Sequence, residues 1–157
     1  MNVFSLRKFL IPLVLMLIIA ARFSYAQENT AAPIPPIDPA SYVGMTLETL
    51  SGQLGLPRSV HAVRGNESWQ DDVVFIYPSI EVYIFKDRVW QVCPVSVYNM
   101  KIGDSIDQLK TAMGEPLLAT AQYLLYQLPS QAWPMMLRIN VNPEGKAASF
   151  FIYRSDF

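Results

Sequence analysis

The sequence predicts an α+β fold made of two tandem units, each a short helix followed by an antiparallel meander of three or four strands, with the helices on one face of the sheet. Three observations predict it. Residues 43–57 (VGMTLETLSGQLGLP) align without a gap on residues 102–116 (IGDSIDQLKTAMGEP) at a constant offset of 59, with four identical and five conservative positions. The identities are Gly44 with Gly103, Leu50 with Leu109, Gly55 with Gly114 and Pro57 with Pro116, types whose placement carries mechanical meaning. Both copies carry helix start and stop signals, and both precede apolar runs of period two separated by turn residues.

Taken in order, residues 1–26 read as an export signal. Arg7 and Lys8 precede a 13-residue apolar run, Phe9 to Ala21, and Ser24-Tyr25-Ala26 supplies the small-residue cleavage site. The run contains Pro12 and is shorter than the roughly 20 apolar residues that span a bilayer, so no stable membrane insertion is expected after cleavage. Cleavage after Ala26 removes Arg7, Lys8 and Arg22 but no acid, leaving nine basic and 13 acidic side chains, a net charge of -4. The expected location is periplasmic or secreted, and a nucleic-acid partner is disfavoured because no Lys/Arg run offers a phosphate footprint. Residues 27–41 (QENTAAPIPPIDPAS) contain Pro33, Pro35, Pro36 and Pro39 and read as an extended linker.

The first unit is expected at 42–100. Thr46 caps a helix whose stripe is Leu47, Leu50 and Leu54, and Gly55 ends it in the left-handed conformation with Pro57 beyond. Strands follow at Val73–Tyr77, Ile80–Phe85 and Val89–Val97, punctuated by Pro78-Ser79 and Lys86-Asp87-Arg88. The second unit is expected at 101–157. Ser105 and Gln108 form a capping box, the stripe is Ile106, Leu109 and Met113, and Gly114 and Pro116 close the helix. Its strands are expected at Gln122–Leu128, Met135–Val141 and Ala147–Tyr153. Two-turn helices are unstable alone, so each must lie on the sheet. Matching Phe75-Ile76-Tyr77 with Leu124-Leu125-Tyr126 reduces the offset to 49, so the first unit holds about ten extra residues after Pro57. That insertion, ending in Arg64 to Asp72, reads as a longer hairpin or as a contact loop anchored by Trp69.

Polar chemistry is scarce. The single Cys93 can form no intrachain disulfide, and with His61 it is the sole pairing for a thiol hydrolase; its neighbours Val92 and Pro94 favour a small packed strand residue instead. A lone histidine gives no metal site, and no cofactor is expected. The alternation in the strands points to a surface. Val74 and Ile76, and Ile80, Val82 and Ile84, are expected toward the helices; Phe75 and Tyr77, and Glu81, Tyr83 and Phe85, toward the other side. Leu137, Ile139 and Val141 alternate likewise with Met136, Arg138 and Asn140. Left open, such a face of aromatics, Met and Arg suits a protein interface; with two sheets folded together, the same rings would be core.

The doublet Gly44-Met45-Thr46 with Gly55-Leu56-Pro57, repeated as Gly103-Asp104-Ser105 with Gly114-Glu115-Pro116, resembles the SmpA/OmlA (BamE-like) envelope proteins. In tandem it is also similar to the β-lactamase inhibitor protein superfamily, whose two repeats form one sheet. The resemblance covers residues 43–157 and implies a binding module without catalysis. The chain departs from the first group in lacking a cysteine at the cleavage site and in carrying two units, and from the second in having one cysteine where the repeats are tied by disulfides. The expected function is that of an exported, non-enzymatic adaptor or inhibitor-like module of the bacterial envelope, binding a protein through Trp69, Tyr77, Tyr83, Phe85, Trp133 and Arg138. A cell-wall glycan or small-ligand binder is the alternative, ahead of the Cys93/His61 hydrolase.

Overall fold

The computed structural model describes residues 38–65, 72–130 and 132–156. The signal segment at 1–26, most of the linker at 27–41 and Trp69 lie outside the described residues. After a 3-10 turn, Pro39–Tyr42, come helix α1 (Leu47–Leu54) and strands β1 (Ser59–Val63), β2 (Asp72–Ile76), β3 (Ile80–Phe85) and β4 (Arg88–Pro94). A small hairpin, β5 (Ser96–Val97) and β6 (Met100–Lys101), leads to α2 (Ile106–Met113). The chain ends in β7 (Leu118–Ala119), β8 (Tyr123–Leu128), β9 (Met135–Val141) and β10 (Ala147–Arg154). Eight strands form one antiparallel sheet in the order β1-β2-β3-β4-β10-β9-β8-β7. The described residues are therefore α+β, with a large antiparallel sheet and two α-helices. Strands β1–β4 before α2 and β7–β10 after it share this one sheet and are not two sheets stacked face to face; only the β5–β6 hairpin stands apart from it.

Each helix stands where its caps require. The Thr46 side chain accepts from the Thr49 amide, and Ser105 and Gln108 close a reciprocal capping box. Gly55 and Gly114 end the helices at φ of 70° and 81°, a region that L side chains avoid. Leu50 and Leu109 are fully buried, and both enter one core cluster with Val82, Ile84, Val89, Val92, Leu124, Leu137, Ile139, Phe150 and Ile152. Strands β3 and β9 alternate buried with half-buried or exposed residues, as a sheet packed on one side requires.

The hydrogen bonds around the two helices match pair by pair. Gly44 donates to Val89 and Gly103 to Ala147; the Leu47 amide donates to Asp87 and the Ile106 amide to Gly145. Tyr77 Oη donates to the Gly55 carbonyl and Tyr126 Oη to that of Gly114, each at 3.3 Å. A bulge recurs as well. On β4, Gln91 opposes Tyr83 while Val89 opposes Ile84, so Trp90 is the extra residue; on β10, Ser149 opposes Asn140 while Ala147 opposes Val141, so Ala148 is extra. The bulges explain how Val89 and Val92, and Ala147 and Phe150, are buried although each pair is three residues apart.

One assignment of faces is corrected. Val74 and Ile76 oppose Tyr83 and Glu81, whereas Phe75 opposes Val82 and packs on the core. The cause is the turn: Tyr77 pairs with Ile80 across Pro78-Ser79, so odd residues of β2 share a side with even residues of β3. Strand β4 also stops at Pro94 instead of continuing to Val97, and β1 and β7 are additional strands.

Because each helix anchors through one sealed leucine, Leu50→Ala and Leu109→Ala should each cost about 2–5 kcal/mol of stability. Urea unfolding at constant m-value measures this. Leu56, 92% exposed, serves as the control: its replacement by alanine should change stability by less than about 0.5 kcal/mol.

Candidate functional site: the sheet face turned away from the core

Side chains that alternate with the core residues build this face row by row. In the middle row Val74, Tyr83, Gln91, Tyr153, Met136 and Gln127 oppose one another from β2 to β8. A neighbouring row contains Ile76, Glu81 and Cys93 on one side of the sheet's middle, and Phe151, Arg138 and Leu125 on the other. Glu81 and Arg138 are exposed; Tyr83, Trp90, Met136, Phe151 and Tyr153 are half-buried. The face thus offers rings and a thioether at partial exposure between two opposite charges.

The rings are held in place. Tyr83 and Trp90 meet edge to face with centres 6.3 Å apart, and Trp90 Nε1 donates to Asp72 Oδ1 at 3.0 Å. The bulge makes this pairing possible by turning Trp90 toward the side of Tyr83. Tyr83 Oη donates to Glu81 Oε2 at 3.4 Å, and burial above all, with Glu81 and Cys93 beside it, holds its hydroxyl well above the usual phenol range. Arg138 lies 4.4 Å from the centre of the Tyr123 ring, and its Nε donates to Asn140 Oδ1 at 2.8 Å. Asn140 Nδ2 then donates to Ser149 Oγ at 3.0 Å. Such fixed side chains lose little further rotamer entropy when covered.

Of the residues expected on the docking surface, Tyr83, Phe85 and Arg138 lie on strands at positions of this face, with the Lys86 ammonium 5.2 Å from the Phe85 ring centre. Tyr77 does not: it is buried in the core cluster, because the β2–β3 turn puts it on the side of Ile80 and Val82. Trp133 is likewise a packing residue. It leans on the core, its ring carries the Arg154 guanidinium at 3.8 Å, and its indole fills the space where a Cβ on Gly44 would stand. Trp69 lies outside the described residues. Reasoning from sequence missed Trp90, Phe151 and Tyr153; the bulge that places Trp90 has no signature in the residue types alone.

The Cys93/His61 pair is not assembled. His61 sits on β1 and Cys93 on β4, three strands apart, which at ~4.8 Å per strand is roughly 14 Å. His61 Nε2 instead lies 3.1 Å from Ser59 Oγ. Burial, with the Glu81 carboxylate opposite, pushes the Cys93 thiol up to about 12, only partly offset by the neighbouring Tyr83 hydroxyl. A thiol so placed is a poor nucleophile. Among the described residues, no group of three or more His, Cys, Asp or Glu side chains is gathered as a metal site would need.

No protein-family model and no curated protein matches the chain. Solved structures do. An extracellular protein containing an SCP domain from Bacillus anthracis superposes with a TM-score of 0.54 at 8% identity, over 83% of this chain and 50% of that one. A cysteine-rich secretory protein from Staphylococcus aureus gives 0.50 at 14% identity, over 79% and 48%. The chain spans about half the length of these two proteins, and at such identities the likeness shows the fold alone. A proposed β-lactamase inhibitor protein from Streptococcus mutans gives 0.32 at 11% identity, over 69% and 82%, and that likeness carries no weight.

Three outcomes are expected. Iodoacetamide at neutral pH should modify native Cys93 about 100- to 1,000-fold more slowly than the unfolded chain, as read by mass spectrometry. Since the folded thiol titrates above its ordinary value of 9.0, its contribution to stability is complete below pH 9.0 and is lost as pH rises toward about 12. Alkaline unfolding should accordingly be shallower in Cys93→Ala. Separately, Gly44→Ala should cost roughly 1–3 kcal/mol, from a φ of 90° and the indole together. Gly44→Ala combined with Trp133→Leu in a double-mutant cycle separates the two causes.

Proposed function

We propose that this chain is an exported, non-enzymatic protein-binding module of the bacterial envelope, inhibitor-like or adaptor-like in action. In this reading 42–100 and 101–157 are two copies of one unit, both helices cover one face of the sheet, and the opposite face docks the partner. The observation that carries it is the ordered, partly exposed set Tyr83, Trp90, Met136, Phe151, Tyr153 and Arg138 on the side of the sheet turned from the core. Aromatic, Met and Arg side chains are the types that interfaces enrich, and fixed rings bury area at small entropic cost.

The matching caps, tyrosine-to-glycine hydrogen bonds and bulges support duplication. Export rests on the leader-like order of residues 1–26 and is supported by the likeness to an extracellular and a secretory protein. Among the described residues no helix is long and apolar enough to cross a membrane. A binding role without catalysis is supported by the distance between His61 and Cys93 and by the raised thiol.

The test is affinity capture from envelope extract with the chain, Tyr83→Ala/Arg138→Ala and Glu81→Lys as baits. The expected result is a discrete partner whose recovery falls at least about tenfold with the double variant, as a loss near 1.4 kcal/mol or more implies. Equal recovery by all three baits, in variants whose unfolding midpoints stay close to that of the parent, refutes the face as the contact.

A further inference from the structure

The two edges of the sheet are unlike. β7 is two residues long, Leu118–Ala119, so it offers almost no ladder to a newcomer. β1, at the opposite edge, runs for five residues, Ser59–Val63, all of them exposed and none charged, glycine or proline. Proteins ordinarily blunt edge strands by shortness, proline, lysine or a bulge, because unpaired backbone groups template another strand. Within its span β1 has none of these, and its register on β2 is unbroken from Ser59 opposite Ile76 to Val63 opposite Asp72.

The two sides of β1 also differ. Val60 and Ala62 oppose Phe75 and Val73, on the side of Val82 and Ile84; there Val60 is 53% and Val73 41% exposed. Ser59 and His61 oppose Ile76 and Val74 on the other side, where their polar groups lie 3.1 Å apart. Arg58 and Arg64 bracket the strand in sequence.

We propose that the β1 edge receives an extended segment of a partner protein as an added antiparallel strand. Backbone hydrogen bonds supply the pairing and alternate side chains the selectivity. The segment that fits has apolar residues opposite Val60 and Ala62, polar ones opposite Ser59, His61 and Val63, and an acidic residue at the end that faces Arg58. A second copy of this chain fits poorly. Antiparallel self-pairing centred on His61 sets Arg64, not an acid, opposite Arg58. This site uses the edge and not the rings of the sheet face, so it stands or falls apart from the docking face proposed above.

The probe is an acetylated, amidated heptapeptide, Glu-Thr-Val-Thr-Val-Thr-Glu, titrated into the isotopically labelled chain and followed by amide NMR. Saturable shifts should centre on Ser59 to Val63, weaken at least roughly fivefold when the peptide's C-terminal Glu is replaced by Lys, and vanish when alternate peptide nitrogens are methylated. Arg58→Glu should reverse the preference between Glu and Lys at the peptide's C-terminal position, the one that faces residue 58. Val60→Lys, at an exposed position, should weaken binding with little change in the unfolding midpoint. Tyr83→Ala/Arg138→Ala should leave the titration unchanged. Absence of saturable shifts at several millimolar peptide, equal binding by the methylated peptide, or dilution-dependent shifts of the β1 amides that track self-association in sedimentation would each overturn the proposal.

Discussion

At the middle of the sheet Val92 opposes Ile152 and Gln91 opposes Tyr153, and across this seam the strands before α2 meet those after it. Neither side is large. A helix of two turns on four short strands buries too little apolar surface to offset its chain entropy, since domains much below about 60 residues fold alone only marginally. Joined through β4 and β10, the two sides share one cluster in which Leu50 and Leu109, Val92 and Ile152 are all sealed from water. Every other feature of the molecule presupposes that joint, including the continuity of the face on which the rings stand.

The face and the core are two consequences of one alternation. A strand gives every second residue to each side, so burying Val82, Ile84, Leu137 and Ile139 obliges Glu81, Tyr83, Arg138 and Asn140 to face the other way. Bulges at Trp90 and Ala148 interrupt the alternation once in each of the two strands that meet at the seam. They shift the chain by one residue and so let Val89 and Ala147 return to the core. At Trp90 the extra residue is the one that completes the aromatic pair with Tyr83. Where the first side carries Tyr83 and Trp90, the corresponding stretch of the second carries Asn140 and Ala148, so the edge-to-face ring pair of one half has the Arg138–Asn140–Ser149 hydrogen bonds as its counterpart on the other.

Local signals in the sequence read true and through-space ones less so. The helices stand where Thr46, Ser105, Gly55 and Gly114 put them, because capping is chemistry between residues three or four apart. Strands β3 and β9 match their expected limits because their alternation is uninterrupted. The face of β2 was legible in principle, since the two residues Pro78-Ser79 fix Tyr77 against Ile80; extending one parity through the turn inverts every side chain. Strand β1 carried no such signal. Its residues are exposed on both sides, and a strand without a buried side has no alternation to read. Trp133 depended on contacts with Gly44 and Arg154 that are far away in sequence.

The close fit of the Trp133 indole against Gly44 ties the first turn of the fold to a loop near its end. A polypeptide emerging N-terminus first during synthesis would therefore display one edge of β4 as a bare ladder, and Gly44 without its indole cover, until the last quarter of the chain arrives. Long-range closure of this kind slows folding and prolongs the time in which sticky surface is on view. A truncation before Trp133 leaves β4 without β10 and Gly44 without its indole, a half-built sheet with no means of completing itself.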